Sequence, residues 1–257
     1  MRGITMRTFD IDMPSRGLLG TPSVISLREM TLKERKILFD RPRFEQIVKM
    51  VGDCITDAKV SVYDLYLYDY MTLFIKLREI TMDSEYSFNI RCKQCGQTQR
   101  VDIDLSELDV LEASEGSSPT FDVEVVDDDD NILSTYTIKH ITVRDQIELN
   151  KRLLKKKSAR KTFTEGDEFT FSLAYRIVEI DGEPVRDPEM IITQLENLPA
   201  SLVDKLEEGI AAQDFGIRFS QAHECHNCMF MDVYPINITS EFFFRRKEFG
   251  TAHRTVG

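Results

Sequence analysis

Five cysteines are the residues best placed to do chemistry, and four of them form two C-x-x-C pairs. The first is Cys92-Lys-Gln-Cys95, followed by Gly96; the second is Cys225-His-Asn-Cys228. Two intervening residues let both sulfurs of a tight turn face one centre, and two such knuckles supply the four thiolates that a tetrahedral zinc takes. Cys95 and Cys225 are 130 positions apart, whereas a compact ribbon spaces its pairs by roughly 15–20 residues. A shared metal therefore requires the intervening chain to be an insertion whose ends return to one place. Cys92, Cys95, Cys225 and Cys228 are the expected ligands of one structural zinc.

Other chemistries fit less well. A redox C-x-x-C sits at a helix N-terminus, and here strand patterns flank the first pair with no βαβ unit after it. A catalytic zinc keeps an open position and a nearby base. Glu224 and His226 flank the second pair, but four cysteines close the coordination shell, so both read as surface residues. A metal-free pair of knuckles stays open as the alternative. The second knuckle carries Met229 where the first has Gly96, a change expected to loosen its turn. Cys54 reads as a buried thiol on a helix.

The elements that must position these knuckles are legible in part. Tyr86, Phe88 and Ile90 alternate before Cys92, and Val101, Ile103 and Leu105 alternate after Gly96, which predicts a strand–knuckle–strand hairpin. Ile217 and Phe219, then Val233, Ile236 and Ile238, predict a second hairpin around Cys225. Ahead of them, residues 1–26 read as extended, with Met13 to Gly20 a turn-rich loop that docks on something. Thr31 and Glu34 form a capping box for a helix over 32–39. Phe44, Ile47, Val48 and Val51 predict a helix over 43–55, and the apolar run from Val62 to Leu77 a third, starting near Ser61 or Asp64.

Between the knuckles, Phe121–Val126 and Ile132–His140 predict a hairpin whose tip holds four consecutive aspartates. That tip lacks calcium-loop spacing and reads as a solvated turn. A helix follows from Thr142, with Lys151, Arg152, Lys155, Lys156, Lys157, Arg160 and Lys161 at its end. Basic residues suit a helix C-terminus; the functional reading of the same run is an acidic or nucleic-acid partner. Residues 169–180 fit helix or strand, and two helices follow over 187–199 and 200–213. Phe242, Phe243, Phe244, Arg245 and Arg246 form an aromatic-basic run near the end of the chain. Three consecutive phenylalanines cannot all face inward from one strand, so this run is the expected partner-binding segment.

The resulting expectation is an α+β fold. It has an N-terminal arm and helices (1–81), a first knuckle hairpin (82–111), an inserted hairpin-plus-helices region (112–216), and a second knuckle hairpin with its tail (217–257). The two distant hairpins together make a zinc-ribbon-like module.

Composition narrows the function. A formal net charge of −11 disfavours a phosphate-backbone binder. The sequence has no apolar run long enough to span a bilayer and no apolar leader pattern over residues 1–17, so a secreted or membrane chain is not expected. Phosphate-loop, dinucleotide-fold and nucleophile-elbow motifs are missing, and the four histidines do not sit at metalloprotease spacing. No catalytic residues are expected.

The order of the motifs carries a resemblance. Met13-Pro-Ser-Arg-Gly-Leu18 precedes Leu27-Arg-Glu-Met-Thr-Leu-Lys-Glu34; Asp64-Leu65 and Asp69-Tyr70 precede Leu77-Arg-Glu-Ile-Thr81. Tyr86, Cys92-x-x-Cys95-Gly96 and Ile103-Asp-Leu105 follow, and the far end has Asp214-Phe-Gly-Ile217, Cys225-x-x-Cys228 and Phe242-Phe243. This arrangement resembles the baseplate hub proteins of T-even-type contractile-tailed bacteriophages, including small hub subunits and hub assembly factors. The resemblance implies a non-enzymatic structural or assembly role. It implies other tail and hub proteins as partners, and the host cytoplasm, the finished tail, or both as location. The alternative in another class is a zinc-ribbon nucleic-acid-binding or transcription accessory protein, with the Lys151–Lys161 stretch as its contact.

Overall fold

A computed structural model describes residues 6–238 except 41, 128, 160 and 161, together with Phe242 and Phe243. The chain opens with β1 (Thr8–Asp12) and β2 (Val24–Arg28), an antiparallel pair, followed by α1 (Leu32–Ile37), α2 (Phe44–Gly52) and α3 (Leu67–Thr81). The Thr31–Glu34 capping box forms, and it also positions Glu34 for Arg28, whose Nη2 lies 3.0 Å from Glu34 Oε1. Helix α2 is shorter than expected. Cys54 therefore sits in the turn after it, fully buried, where burial pushes its thiol up to about 12.

The third helix begins later than its apolar run suggests. Leu67 N–H donates to the Ile141 carbonyl and Val143 N–H to the Leu65 carbonyl, so residues 65–66 are held extended as a short ladder before α3 can start. Aspartate 69, fully buried on α3, is the anchor for the loop 13–20. Its Oδ1 accepts the Ser15 N–H at 3.0 Å and its Oδ2 the Thr21 hydroxyl at 3.3 Å. The loop thus docks on this chain's own helix. Burial raises the Asp69 pKa, and the bonds from Ser15 and Thr21 offset that only in part.

Two hairpin strands, β3 (Glu85–Arg91) and β4 (Thr98–Asp104), pair antiparallel and lead to the short β5 (Val110–Leu111). Next come β6 (Thr120–Val126), β7 (Ile132–Lys139), α4 (Val143–Ala159), α5 (Glu165–Arg176), β8 (Ile177–Ile180), β9 (Glu183–Pro184), α6 (Ile192–Glu196) and α7 (Ala200–Ala211). The ambiguous stretch 169–180 is both kinds of structure, helix to Arg176 and strand from Ile177. Strands β6, β7, β8 and β9 form one sheet in that order, and its apolar face packs with α5, α6 and α7 in a core of its own. The aspartate-rich tip is a turn closed by its own residues: Asp127 Oδ1 accepts the N–H groups of Asp129 and Asn131, each at 2.9 Å.

Helix α4 sends Val143 and Ile147 into the N-terminal core instead of the core of that sheet. Four of the five basic residues at its end that lie among the described residues are ion-paired within the chain, while Arg160 and Lys161 lie outside the described residues. Lys151 meets Glu45 at 3.3 Å, Arg152 meets Glu148 at 3.0 Å, Lys156 meets Glu189 at 2.9 Å and Lys157 meets Glu168 at 2.5 Å. Four cations are thus already committed to internal carboxylates, which weakens the reading of this run as a nucleic-acid contact.

The chain then returns to where it left. Strand β10 (Gly216–Ile217) pairs with β5, Val110 opposite Ile217, and Arg218 N–H donates to the Asp109 carbonyl at 2.9 Å. Gly216 is needed here: its φ is +102°, and a Cβ would lie 2.9 Å from Tyr68 Cβ. Strands β11 (Ser220–Glu224) and β12 (Met231–Pro235) form the second hairpin, which leads Tyr234 and Ile236 into the N-terminal core. The architecture is α+β, and the β5–β10 closure sets the two knuckle hairpins side by side.

Candidate metal centre

Each knuckle is built by the same backbone device. In the first, Cys92 N–H donates to the Gln97 carbonyl at 2.9 Å and Gly96 N–H to the Cys92 carbonyl at 3.0 Å. In the second, Cys225 N–H donates to the Phe230 carbonyl at 2.9 Å and Met229 N–H to the Cys225 carbonyl at 2.8 Å. The turn demands a left-handed residue in both. Gly96 supplies it at φ +72°, and Met229 adopts it at +58° despite its Cβ. The Met229 substitution therefore keeps the turn's geometry and stores strain in it, instead of loosening it.

The sequence expectation that all four cysteines converge is met in space. Their Sγ atoms all lie within 4.8 Å of one another, with Cys92–Cys228 at 3.7 Å and Cys95–Cys225 at 3.6 Å. Sulfurs at about 2.3 Å from a tetrahedral zinc stand about 3.8 Å apart along each edge. The four donors thus fit one metal ion of that size. Cys92 and Cys225 are buried, Cys228 is half-buried and Cys95 is exposed.

The knuckle amides prepare the sulfurs for a cation. The Cys95 amide, joined by that of Gln94, lowers the Cys92 thiol. For Cys225, burial raises the thiol, but the amides of Cys228 and Asn227 and the neighbouring thiols outweigh it and bring it to about 6. Cys228 goes the other way. The Phe230 amide lowers it, yet burial and the facing sulfurs of Cys225, Cys95 and Cys92 push it up to about 12. Four sulfurs this close cannot all be thiolates without a positive charge among them, and that charge is what a bound metal supplies.

Several supporting residues carry no motif, and most were not legible in the sequence. Gln99, on β4, donates from Nε2 to Cys225 Sγ at 2.6 Å, and its Oε1 accepts the His226 N–H at 3.1 Å. It therefore ties the first hairpin to the second knuckle directly. Lys93 pairs with Asp232 at 2.6 Å and lies 5.6 Å from the Tyr234 ring centre. Tyr86 donates its hydroxyl to the Asn237 carbonyl at 2.7 Å. Tyr86 is already legible on the strand before Cys92; for Gln99, Lys93 and Asp232 the only hint in the sequence is a place within a knuckle or on a strand that flanks one. Glu224 lies on β11 opposite Met231, and His226 is exposed within its knuckle, engaged through its backbone.

The aromatic run is placed differently from its expected role. Phe242 and Phe243 are 1% and 2% exposed and pack inside the chain's own core. Phe242 stacks on Phe74 at 5.2 Å and meets Tyr86 edge-on at 4.9 Å, while its carbonyl accepts Arg78 Nε at 2.7 Å. In this arrangement the two rings anchor the chain's end and offer no docking face. The physical reason is that residues 242–243 form a turn, not a strand, so consecutive rings can both point inward. Phe244, Arg245 and Arg246, the rest of the expected partner-binding segment, lie outside the described residues.

Among the described residues, no helix is long and apolar enough to cross a membrane. Comparison with curated proteins gives no match, and comparison with solved structures gives none. A family model described as "T4 bacteriophage base plate protein" matches residues 6–244, a span that takes in the docked N-terminal loop, both knuckles and the buried phenylalanines. This chain belongs to the T4 bacteriophage base plate protein family.

Proposed function

We propose that this protein is a structural or assembly component of the baseplate hub, non-enzymatic, whose two knuckle hairpins are stapled by one zinc ion held by Cys92, Cys95, Cys225 and Cys228. The observation that carries the reading is the convergence of four sulfurs from hairpins 130 positions apart, in a chain of the baseplate family. An all-cysteine set favours zinc among the common metals, and its closed shell suits a structural role over a catalytic one. Zinc supplies the positive charge that lets all four sulfurs ionise. The chain's own contribution is to bring the hairpins together through the β5–β10 ladder, Gln99 and the Lys93–Asp232 pair.

Segments 1–81, 82–111, 112–216 and 217–257 are the working units of this reading, the third being an insertion into the ribbon. Its partners are other tail and hub proteins, met in the host cytoplasm during assembly. Phe244, Arg245 and Arg246 remain in the proposal as partner contacts, with Phe242 and Phe243 as the anchor behind them.

Native mass spectrometry of the purified chain, alone and with co-expressed tail proteins, tests this. The expected spectrum carries the mass of one zinc, absent from Cys95→Ser, and complexes with hub proteins. A metal-free chain whose knuckle amides are as protected from hydrogen exchange as those of a zinc-treated sample overturns the staple. Complexes only with tail proteins outside the hub overturn the hub assignment.

A further inference from the structure

The two knuckle hairpins leave a cleft between them that the metal site does not use. It encloses about 510 Å³ and is lined by residues 102–104 of β4, by 107–109, by Arg218, by residues 220–222 of β11, and by Val233. Three consecutive residues of each strand line it. Consecutive residues of a strand point to opposite faces, so the strands must present their edges to the cleft.

The hydrogen-bond phase agrees. Cys225 N–H donates to the Phe230 carbonyl and Ile236 N–H to the Phe219 carbonyl, so alternation along β11 turns the peptide groups of Ser220 and Ala222 away from β12. Likewise Cys92 N–H donates to the Gln97 carbonyl and Leu105 N–H to the Ser84 carbonyl, which turns the peptide groups of Asp104 away from β3. Among the described residues, each of these sheets has two strands only. The Ala222 carbonyl is met at 3.3 Å by the Gln221 side chain next to it, a contact that a better donor would displace.

The chemistry of the walls states what fits. Asp102, Asp104, Glu107 and Asp109 face a single guanidinium, Arg218, and Asp102 already pairs with Arg100 at 2.7 Å. On the outer face of β12, Met231 and Val233 are 60% and 55% exposed. An edge with unpaired peptide groups recruits an extended chain, and the side chains beside it set which one.

We infer that this cleft is a strand-addition site for an extended segment of another tail protein, one that alternates basic and apolar residues. The segment pairs with the free edge of β11, sets its basic side chains against Asp104, Glu107 and Asp109, and covers Val233. This inference takes the class of partner from the baseplate reading; the cleft itself does not depend on it.

The test has two arms, both on the full chain. In the first, a short synthetic peptide alternating lysine and valine is titrated against the zinc-treated protein, with amide resonances as readout. The expected result is protection centred on the amides of Ser220 and Ala222. Affinity should be about tenfold weaker in Asp104→Asn/Glu107→Gln and lost in Ala222→Pro, which removes one outward N–H from an edge that tolerates proline. Equal binding to all three proteins, or protection elsewhere, overturns the site. In the second arm, a photo-reactive residue replaces Ala222 in infected cells. A cross-link to a basic-apolar segment of a tail protein supports the inference, and a cross-link to a second copy of this chain overturns it. Tail-protein cross-links from a control position but none from 222 also overturn the cleft, leaving the baseplate reading intact. No tail-protein cross-link from either position overturns both.

Discussion

Phe242→Ala separates an internal anchor from a partner contact. Full burial of a phenylalanine ring is worth about 1.5–3 kcal/mol in transfer terms. The ring is 1% exposed and has aromatic neighbours in Phe74 at 5.2 Å, Tyr86 at 4.9 Å and Phe243 at 5.1 Å. The Arg78 guanidinium lies 5.2 Å from its centre. Each aromatic pair adds about 0.5–1.5 kcal/mol, and the cavity left behind relaxes only in part, so the expected loss is about 3–5 kcal/mol. The hydrogen bond from Arg78 goes to the backbone carbonyl of Phe242, so it survives the substitution and the loss belongs to the ring. Urea unfolding followed by far-UV circular dichroism is the assay. With a slope of about 2 kcal/mol per molar, the midpoint falls by about 1.5–2.5 M. A midpoint within about 0.3 M of wild type, coupled to lost binding of tail proteins, would refute the packing argument and restore the ring to a partner.

Three further outcomes are expected. Met229→Gly relieves the strain of a left-handed residue that is exposed and packs against little; net of glycine's entropy it should stabilise by about 0.5–1 kcal/mol, read as a higher midpoint at saturating zinc. Gly209→Ala should do the reverse of what helix propensity suggests. A Cβ there would collide with Val123 Cγ1 and lie 3.3 Å from Cγ2, so overpacking of about 1–3 kcal/mol outweighs a propensity gain of about 1 kcal/mol. For Glu34, burial raises the carboxyl pKa, but the bonds from Arg28 and Thr31 outweigh it and lower it from 4.5 to about 2. A carboxylate lowered on folding stabilises fully above its unfolded pKa and loses that contribution as pH falls. About 3 kcal/mol should therefore disappear between roughly pH 5 and 2, and a Glu34→Gln chain whose stability falls just as steeply over that window would remove this pair as the cause.

Much of the molecule was readable before any coordinates. The alternation around Cys92 determined the first hairpin, because a strand exposes its faces with period two and a C-x-x-C-Gly turn needs no distant partner to form. The Thr31–Glu34 capping box is local chemistry and folds as written. The two cysteine pairs announced a four-sulfur site, and the order of short motifs announced the baseplate family. Where the reading slipped, a distant segment had the deciding vote. Helix α3 starts late because Leu65 and Leu67 bond to the 141–143 segment, which lies far along the chain. Phe242 and Phe243 turn inward because Phe74 and Tyr86 await them, and nothing in three consecutive phenylalanines says so. The basic run on α4 leaves two readings open, a solvated helix end and a partner contact, and only the fold shows Glu45, Glu168 and Glu189 beside it. Gln99 reaches Cys225 only because the β5–β10 ladder brings the two hairpins together. Periodicity, caps and turn residues act within a few positions and are written in the chain. Pairings across a hundred residues depend on where the whole backbone goes, and those only the tertiary structure decided.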